Sequence, residues 1–195
     1  MKKSEATRLN ILQKAFELIY AKGYQATSID EIIATTQVTK GAFFYHFKNK
    51  DEMGLAIIEE ILKPTLTGSF IQPLEKDENP LKAIYDLMHY LLVKDTFLKP
   101  EYGCPAANLT HEMTSWNSQF SKVLNDLTGQ WMHIMTKAIE RGKKQGLVCK
   151  DVNTKQVTLF VISGYWGIRN LGKLGNKTYY TAYLKELKKY LDQLQ

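Results

Sequence analysis

Cysteine is scarce in this chain: Cys104 and Cys149 are the two among 195 residues. A disulfide scaffold is therefore excluded, and two thiols in a reducing compartment have no reason to pair. His46, His89, His111 and His133 are scattered, with no cysteine or carboxylate at the spacing of a structural zinc site, so no metal is expected. Glycine-rich phosphate loops, Walker sequences and serine nucleophile elbows are missing, which argues against an enzyme and leaves no cofactor to hold. No apolar run approaches the roughly 18 residues of a membrane span, and Met1 to Glu5 carries no hydrophobic segment behind it. A cytoplasmic protein without membrane association is expected.

What is present describes an ordinary folded chain, 44% hydrophobic and 24% charged. The net charge of +6 permits attraction to a polyanion. Residues 1–52 carry eight Lys/Arg against six Asp/Glu, only +2 of that total, so any case for nucleic acid rests on motif and not on charge.

The informative stretch runs from Thr27 to His46 and exits through Phe47-Lys-Asn-Lys50. Ser28 with Glu31 three positions on forms a capping box, which predicts a helix start. Ile29, Ile32 and Ile33 give that helix an apolar face, Asp30 and Glu31 suit its positive end, and it stops near Thr36. Gln37 and Val38 make a turn; Thr39 is a second N-cap, opening Lys40-Gly-Ala-Phe-Phe-Tyr-His46. Two short helices joined so tightly make a helix-turn-helix. Gly41 and Ala42 place little bulk at the second helix's start, as an approaching phosphate backbone or groove wall requires. Phe43 and Phe47, at i and i+4, pack inward. Some of Phe44, Tyr45 and His46 must then be exposed, beside Lys48 and Lys50, where they suit thymine methyls and phosphates.

These residues resemble the TetR/AcrR family of transcriptional regulators. The likeness lies in Ala15-Phe-Glu-Leu, Gly23-Tyr24, Thr27-Ser-Ile-Asp-Glu-Ile, Val38-Thr-Lys-Gly-Ala-Phe-Phe-Tyr-His-Phe47 and Lys48-Asn-Lys-Asp-Glu52, covering roughly residues 4–60. By that resemblance Ser28, Thr39, Tyr45, His46 and Lys50 fall where the family meets phosphates, and Lys40, Gly41, Ala42 and Phe44 where it meets base edges; Thr27 is counted with them as a DNA-binding residue. Two positions depart from the pattern: Thr36-Gln37 replaces the usual Ala-Gly turn, and Ala42 stands where Thr is common. Double-stranded DNA and a small-molecule effector are the implied partners. The resemblance further implies a repressor released when the effector fills the body and moves the fourth helix. A helical interaction module that has lost operator binding is the competing reading.

The periodicity throughout is helical, giving an all-α fold. A first helix over residues 4–22 completes a DNA-binding domain of residues 1–48, and a helical effector-binding and dimerisation domain occupies 49–195. Asn49 caps a helix through Leu62, which Pro64 ends or kinks; 65–79 is the least regular stretch. Leu81, Ile84, Tyr85, Met88, Leu91 and Leu92 form one stripe, and Phe120 to Ala138 a longer one ending at Arg141-Gly142. Thr154 caps a helix to about Leu171 that is apolar almost all round, so it must be buried on more than one side. With a last helix over 179–194 it offers Phe160, Gly164, Gly167, Ile168, Tyr180, Leu184, Leu187 and Leu191 to a homodimer interface, as the family's last two helices do. The alternative is that these residues close the monomer's own core. A two-fold dimer would set its recognition helices about 34–36 Å apart on an approximately palindromic operator. Met88, Leu92, Phe97, Asn108, His111, Trp131, Met135 and Trp166 either line an effector pocket or serve ordinary packing and surface roles. Cys104, before Pro105 at a helix start, is either a reactive thiol that senses electrophiles or a small buried residue.

Overall fold

The computed structural model describes residues 3–76, 79–175 and 178–195. These form helices and turns, with no strand among them. No helix among them is long and apolar enough to cross a membrane. The chain divides into two compact units, one of residues 1–64 with 105–125 and the other of residues 65–104 with 126–195. The first unit thus takes in more chain than the head expected at 1–48.

In the first unit, α1 (Lys3–Lys22) buries Ile11, Leu12, Ala15, Phe16 and Ile19 along one face. It ends at Gly23, whose φ of +97° is left-handed backbone that glycine adopts without a Cβ clash. There follow α2 (Ile29–Thr36), α3 (Lys40–His46) and α4 (Lys50–Ile57). α2 and α3, with eight and seven residues, are too short to persist alone, whereas α4 runs on into further helical turns. Each begins at a side-chain cap: Ser28 accepts from the Glu31 N–H, Thr39 from Ala42 and Asn49 from Glu52. The α2 cap is a full capping box. Gln37 takes the left-handed conformation, φ 56° and ψ 21°. The unit closes with α8 (Pro105–Met113) and the beginning of α9 (Ser118–Lys144).

Pro64 does not end the helical backbone. A π-helical turn over Ile58–Leu62 precedes it, α5 (Lys63–Thr65) contains it, and a second π segment, Leu66–Ile71, leads into α6 (Gln72–Lys76). In a regular α-helix the proline ring would clash with the carbonyl four residues back. The wider turn, with the Lys63 N–H bonded to the Ile58 carbonyl, shifts that register. The stretch expected to be irregular is therefore helical from Thr65 to Lys76; residues 77 and 78 lie outside the described residues.

In the second unit, α7 (Pro80–His89) continues as a π turn over Tyr90–Lys94 and packs on α11 (Thr178–Asp192), which also lies on α10 (Thr154–Gly172). Phe70, Trp131 and Tyr165 meet edge to face with centroids 5.1–6.0 Å apart. Two expected boundaries shift. Asn153, not Thr154, caps α10 by accepting from Gln156; Thr154 is buried and donates to Glu140 at 2.6 Å. Nor does Gly142 stop α9, which runs to Lys144. A Cβ at Gly142 would meet the Pro80 ring at 2.4 Å, so the glycine serves close packing. Arg169 is 1% exposed and donates to the Lys99 and Gly103 carbonyls at 3.0 and 2.5 Å.

Left-handed backbone costs a non-glycine residue about 1–2 kcal/mol, partly offset by the greater unfolded-state freedom of glycine. Gln37→Gly is therefore expected to stabilise the protein by about 0.5–1 kcal/mol, read as a higher urea midpoint at unchanged slope.

Candidate nucleic-acid interface

Phe43 is wholly buried and Phe47 is 1% exposed, and their burial fixes the rotation of α3. The residues between them must then face outward: Phe44 is 44% and Tyr45 78% exposed, with His46 half-buried and edge-on to the Tyr45 ring at 5.0 Å. At the other end of α3, a Cβ placed on Gly41 would find only the Thr39 hydroxyl, at 3.9 Å. The fold itself thus has no need of a glycine there. Lys40, Gly41, Phe44 and Tyr45 form an exposed edge, with Ala42 half-buried beside them. Lys40 is paired with Asp30 at 3.1 Å, both side chains more than half exposed. Such a pair holds little more than about 1 kcal/mol and releases its cation readily to an anionic partner.

Ser28, Thr39 and Lys50 stand at the starts of α2, α3 and α4. The Lys50 ammonium lies 4.4 Å from the centre of the Tyr24 ring, and burial pulls its pKa down. Glu31, paired with Lys22 and bonded to the Ser28 N–H, is held down from 4.5 to about 2, Lys22 being the larger cause. Thr27 is placed otherwise than expected. It is 1% exposed, with its hydroxyl donating to the Gly23 carbonyl at 2.8 Å, and so it serves the turn rather than DNA.

The expected effector residues are divided between the two units. Met88, Leu92, Trp131 and Met135 are buried in the second unit, and Phe97 and Trp166 are half-buried. Asn108 and His111 belong to α8 in the first unit, and His111 is exposed, so the two do not face inward as a pair. Cys104 is 6% exposed, which denies it the access a reactive thiol requires. A cleft of about 310 Å³ in the second unit is lined by Gly68, Ser69, Pro73, Ala83, Asp86, Leu87 and Tyr90, none of them anticipated.

The dimer set also divides. Ile168, Tyr180, Leu184, Leu187 and Leu191 are buried within the single chain, because α11 turns that face onto its neighbours, and Gly164 is occupied by the Tyr183 ring. Phe160 and Gly167 remain on the surface. Leu159, Leu171, Leu174 and Tyr179, exposed by 38–74%, join them. A uniformly apolar helix does not reveal in sequence which of its faces the neighbouring helix will cover.

Residues 11–57 match the profile described as bacterial regulatory proteins, tetR family, and residues 81–187 match that of the tetracyclin repressor-like C-terminal domain. The chain belongs to the TetR family. A Lactococcus lactis subsp. lactis protein named as an uncharacterized HTH-type transcriptional regulator in the lacX 3' region is 35% identical over 121 residues, 62% of each chain. The match therefore spans less than two thirds of that relative. The HTH-type transcriptional repressor DhaR of Mycobacterium sp. (strain GP1) is 22% identical over 82% of this chain and 79% of its own. A TetR transcriptional regulator from Chloroflexus aurantiacus has the same fold, with a TM-score of 0.88 at 22% identity over 99% of this chain and 98% of that one. TetR-family proteins are DNA-binding helix-turn-helix regulators of transcription, and the exposed edge of α3 is the second helix of that motif here.

The Glu31 carboxylate binds a proton more weakly in the folded chain than in the unfolded one. Its contribution to stability is complete above pH 4.5 and is lost as pH falls toward 2. Glu31→Gln should flatten the acid limb of the stability profile across that window, as followed by urea unfolding at stepped pH.

Proposed function

We propose that this TetR-family protein is a repressor that binds an approximately palindromic operator as a homodimer and is released by a small-molecule effector. The observation that carries the reading is the outward edge of α3. Lys40, Gly41, Phe44 and Tyr45 are exposed without a structural requirement for them, as a groove-reading helix would have them. In this reading Ser28, Thr39, Tyr45, His46 and Lys50 meet phosphates, while Lys40, Gly41, Ala42 and Phe44 meet base edges. Residues 1–48 form the DNA-binding domain in this reading, with Lys50 contributing from just beyond it, and 49–195 the effector-binding and dimerisation domain.

The dimer is assigned to the uncovered face of α10 and the chain after it: Leu159, Phe160, Gly167, Leu171, Leu174 and Tyr179. Apolar side chains clustered in this way favour burial against a second copy. The effector reading draws support from Trp131, whose indole N–H is buried with no acceptor among the described residues, a state costing about 1–3 kcal/mol that a ligand acceptor would relieve. An effector acts as a switch only if it favours the conformation that does not bind DNA. The burial of Cys104 leaves the electrophile version of the effector without support.

Selection from a random duplex library should yield a two-fold related site. On it, Lys50→Ala should weaken binding to all sequences alike and flatten the salt dependence by about one unit, whereas Lys40→Ala should change the preferred bases. Recovery of no duplex at low ionic strength would refute the reading. Leu159→Asp with Leu171→Asp should shift the sedimenting species from dimer to monomer; an unchanged dimer would place the interface elsewhere.

A further inference from the structure

The Tyr24 ring beneath Lys50 is itself held from several sides. Its hydroxyl donates to Asp51 Oδ1 at 2.6 Å, and Asn117 Nδ2 donates to the other oxygen, Asp51 Oδ2, at 3.0 Å. The edge of Phe120 meets the ring at a centroid distance of 5.2 Å. Gly54 allows both rings to close on α4, since a Cβ there would lie 2.7 Å from Phe120 and 2.7 Å from Tyr24. At the next residue, Glu112 accepts the Gln25 N–H at 3.0 Å, so the backbone following Tyr24 is also held by α8. Residues 112–120 lie far from the DNA-binding motif in sequence, yet they determine where the Tyr24 ring sits.

Asn117 has two separable duties. Its carbonyl oxygen accepts from the Gln119 and Phe120 N–H groups at 2.9 and 3.4 Å, capping α9, while its amide hydrogens serve Asp51. A residue needed only as a cap has no use for the second bond. Asp51, with one oxygen for each partner, ties the ring to the start of α9.

We propose that Tyr24, Asp51 and Asn117 are positioning residues for DNA binding: the 112–120 segment, acting through Asp51, holds the Tyr24 ring, and that ring seats the Lys50 ammonium for its phosphate. This rests on the reading of Lys50 as a phosphate contact. An ammonium over an aromatic face is held with a defined direction, which spares the flexible side chain part of its ordering cost when DNA arrives. If the segment releases Asp51, the seat tilts and Lys50 engages its phosphate less often, although no DNA-contacting residue has changed.

The test uses the full-length protein and a duplex recovered from the random library with the unaltered chain. Asn117→Asp keeps the capping oxygen and removes the donor; Asn117→Ser keeps an oxygen for the cap without adding charge, and its shorter side chain gives up the amide donor that reaches Asp51, should the first variant fold poorly. Either should weaken binding about three- to tenfold and flatten the salt dependence as Lys50→Ala does. In a Lys50→Ala background neither should weaken binding further, since both act through the same contact. The exchange Asp51→Asn with Asn117→Asp restores the bond with donor and acceptor reversed and should recover both affinity and salt slope. Binding unaffected by folded Asn117 variants would overturn the proposal, as would losses that add fully to that of Lys50→Ala or an exchange that recovers nothing. If Lys50→Ala alone changes neither affinity nor slope, the assignment of Lys50 to a phosphate falls, and the proposal falls with it.

Discussion

Burial of two phenylalanines governs how the head presents itself. Phe43 lies within the seven-residue α3 and Phe47 caps its C-terminal end, and the energy of placing both rings in the core, roughly 1.5–3 kcal/mol each, fixes the rotation of that helix. Once they are inside, Lys40, Gly41, Phe44 and Tyr45 have no direction left except outward. Recognition chemistry on this face is thus a consequence of packing on the opposite one. The Arg8 guanidinium, 4.9 Å from the centre of the Phe47 ring and bonded to Glu60, closes the inner side.

The short helices around α3 share a further dependence. With eight and seven residues, α2 and α3 leave a large fraction of their backbone donors unpaired unless a side chain caps them. Ser28 and Thr39 do so and are themselves assigned to the DNA backbone; Asn49, which caps the longer run from α4, stands next to Lys50. Cap and phosphate call for the same local feature, free N–H groups at the positive end of a helix. That coincidence explains how so small a head combines stability with a surface suited to anions.

Local signals were readable in the sequence, while those set by distant neighbours were not. The capping box at Ser28 and Glu31, the turn at Gln37 and the inward pair Phe43 and Phe47 each depend on residues within a few positions, and each is found in place. The continuation through Pro64 was hidden because a π turn changes which carbonyl the proline ring opposes. Thr27 was misjudged because its hydroxyl finds a partner in the turn itself. The buried faces of α10 and α11 could not be told from their exposed ones, since Leu184 and Leu159 look alike until the neighbouring helix is placed. The link between Asp51 and Asn117 spans 66 positions and leaves no periodic trace.

Arg169 carries a consequence for motion in the second unit. Its guanidinium keeps its charge at any ordinary pH, and it is shut from water with the carbonyls of Lys99 and Gly103 around it. Pulling those carbonyls away would strand a cation in a poorly polarisable interior, a far larger cost than the loss of a neutral hydrogen bond. Residues 99–103 and α10 are therefore yoked: a rearrangement that displaces the loop must carry the helix along or admit solvent to the arginine.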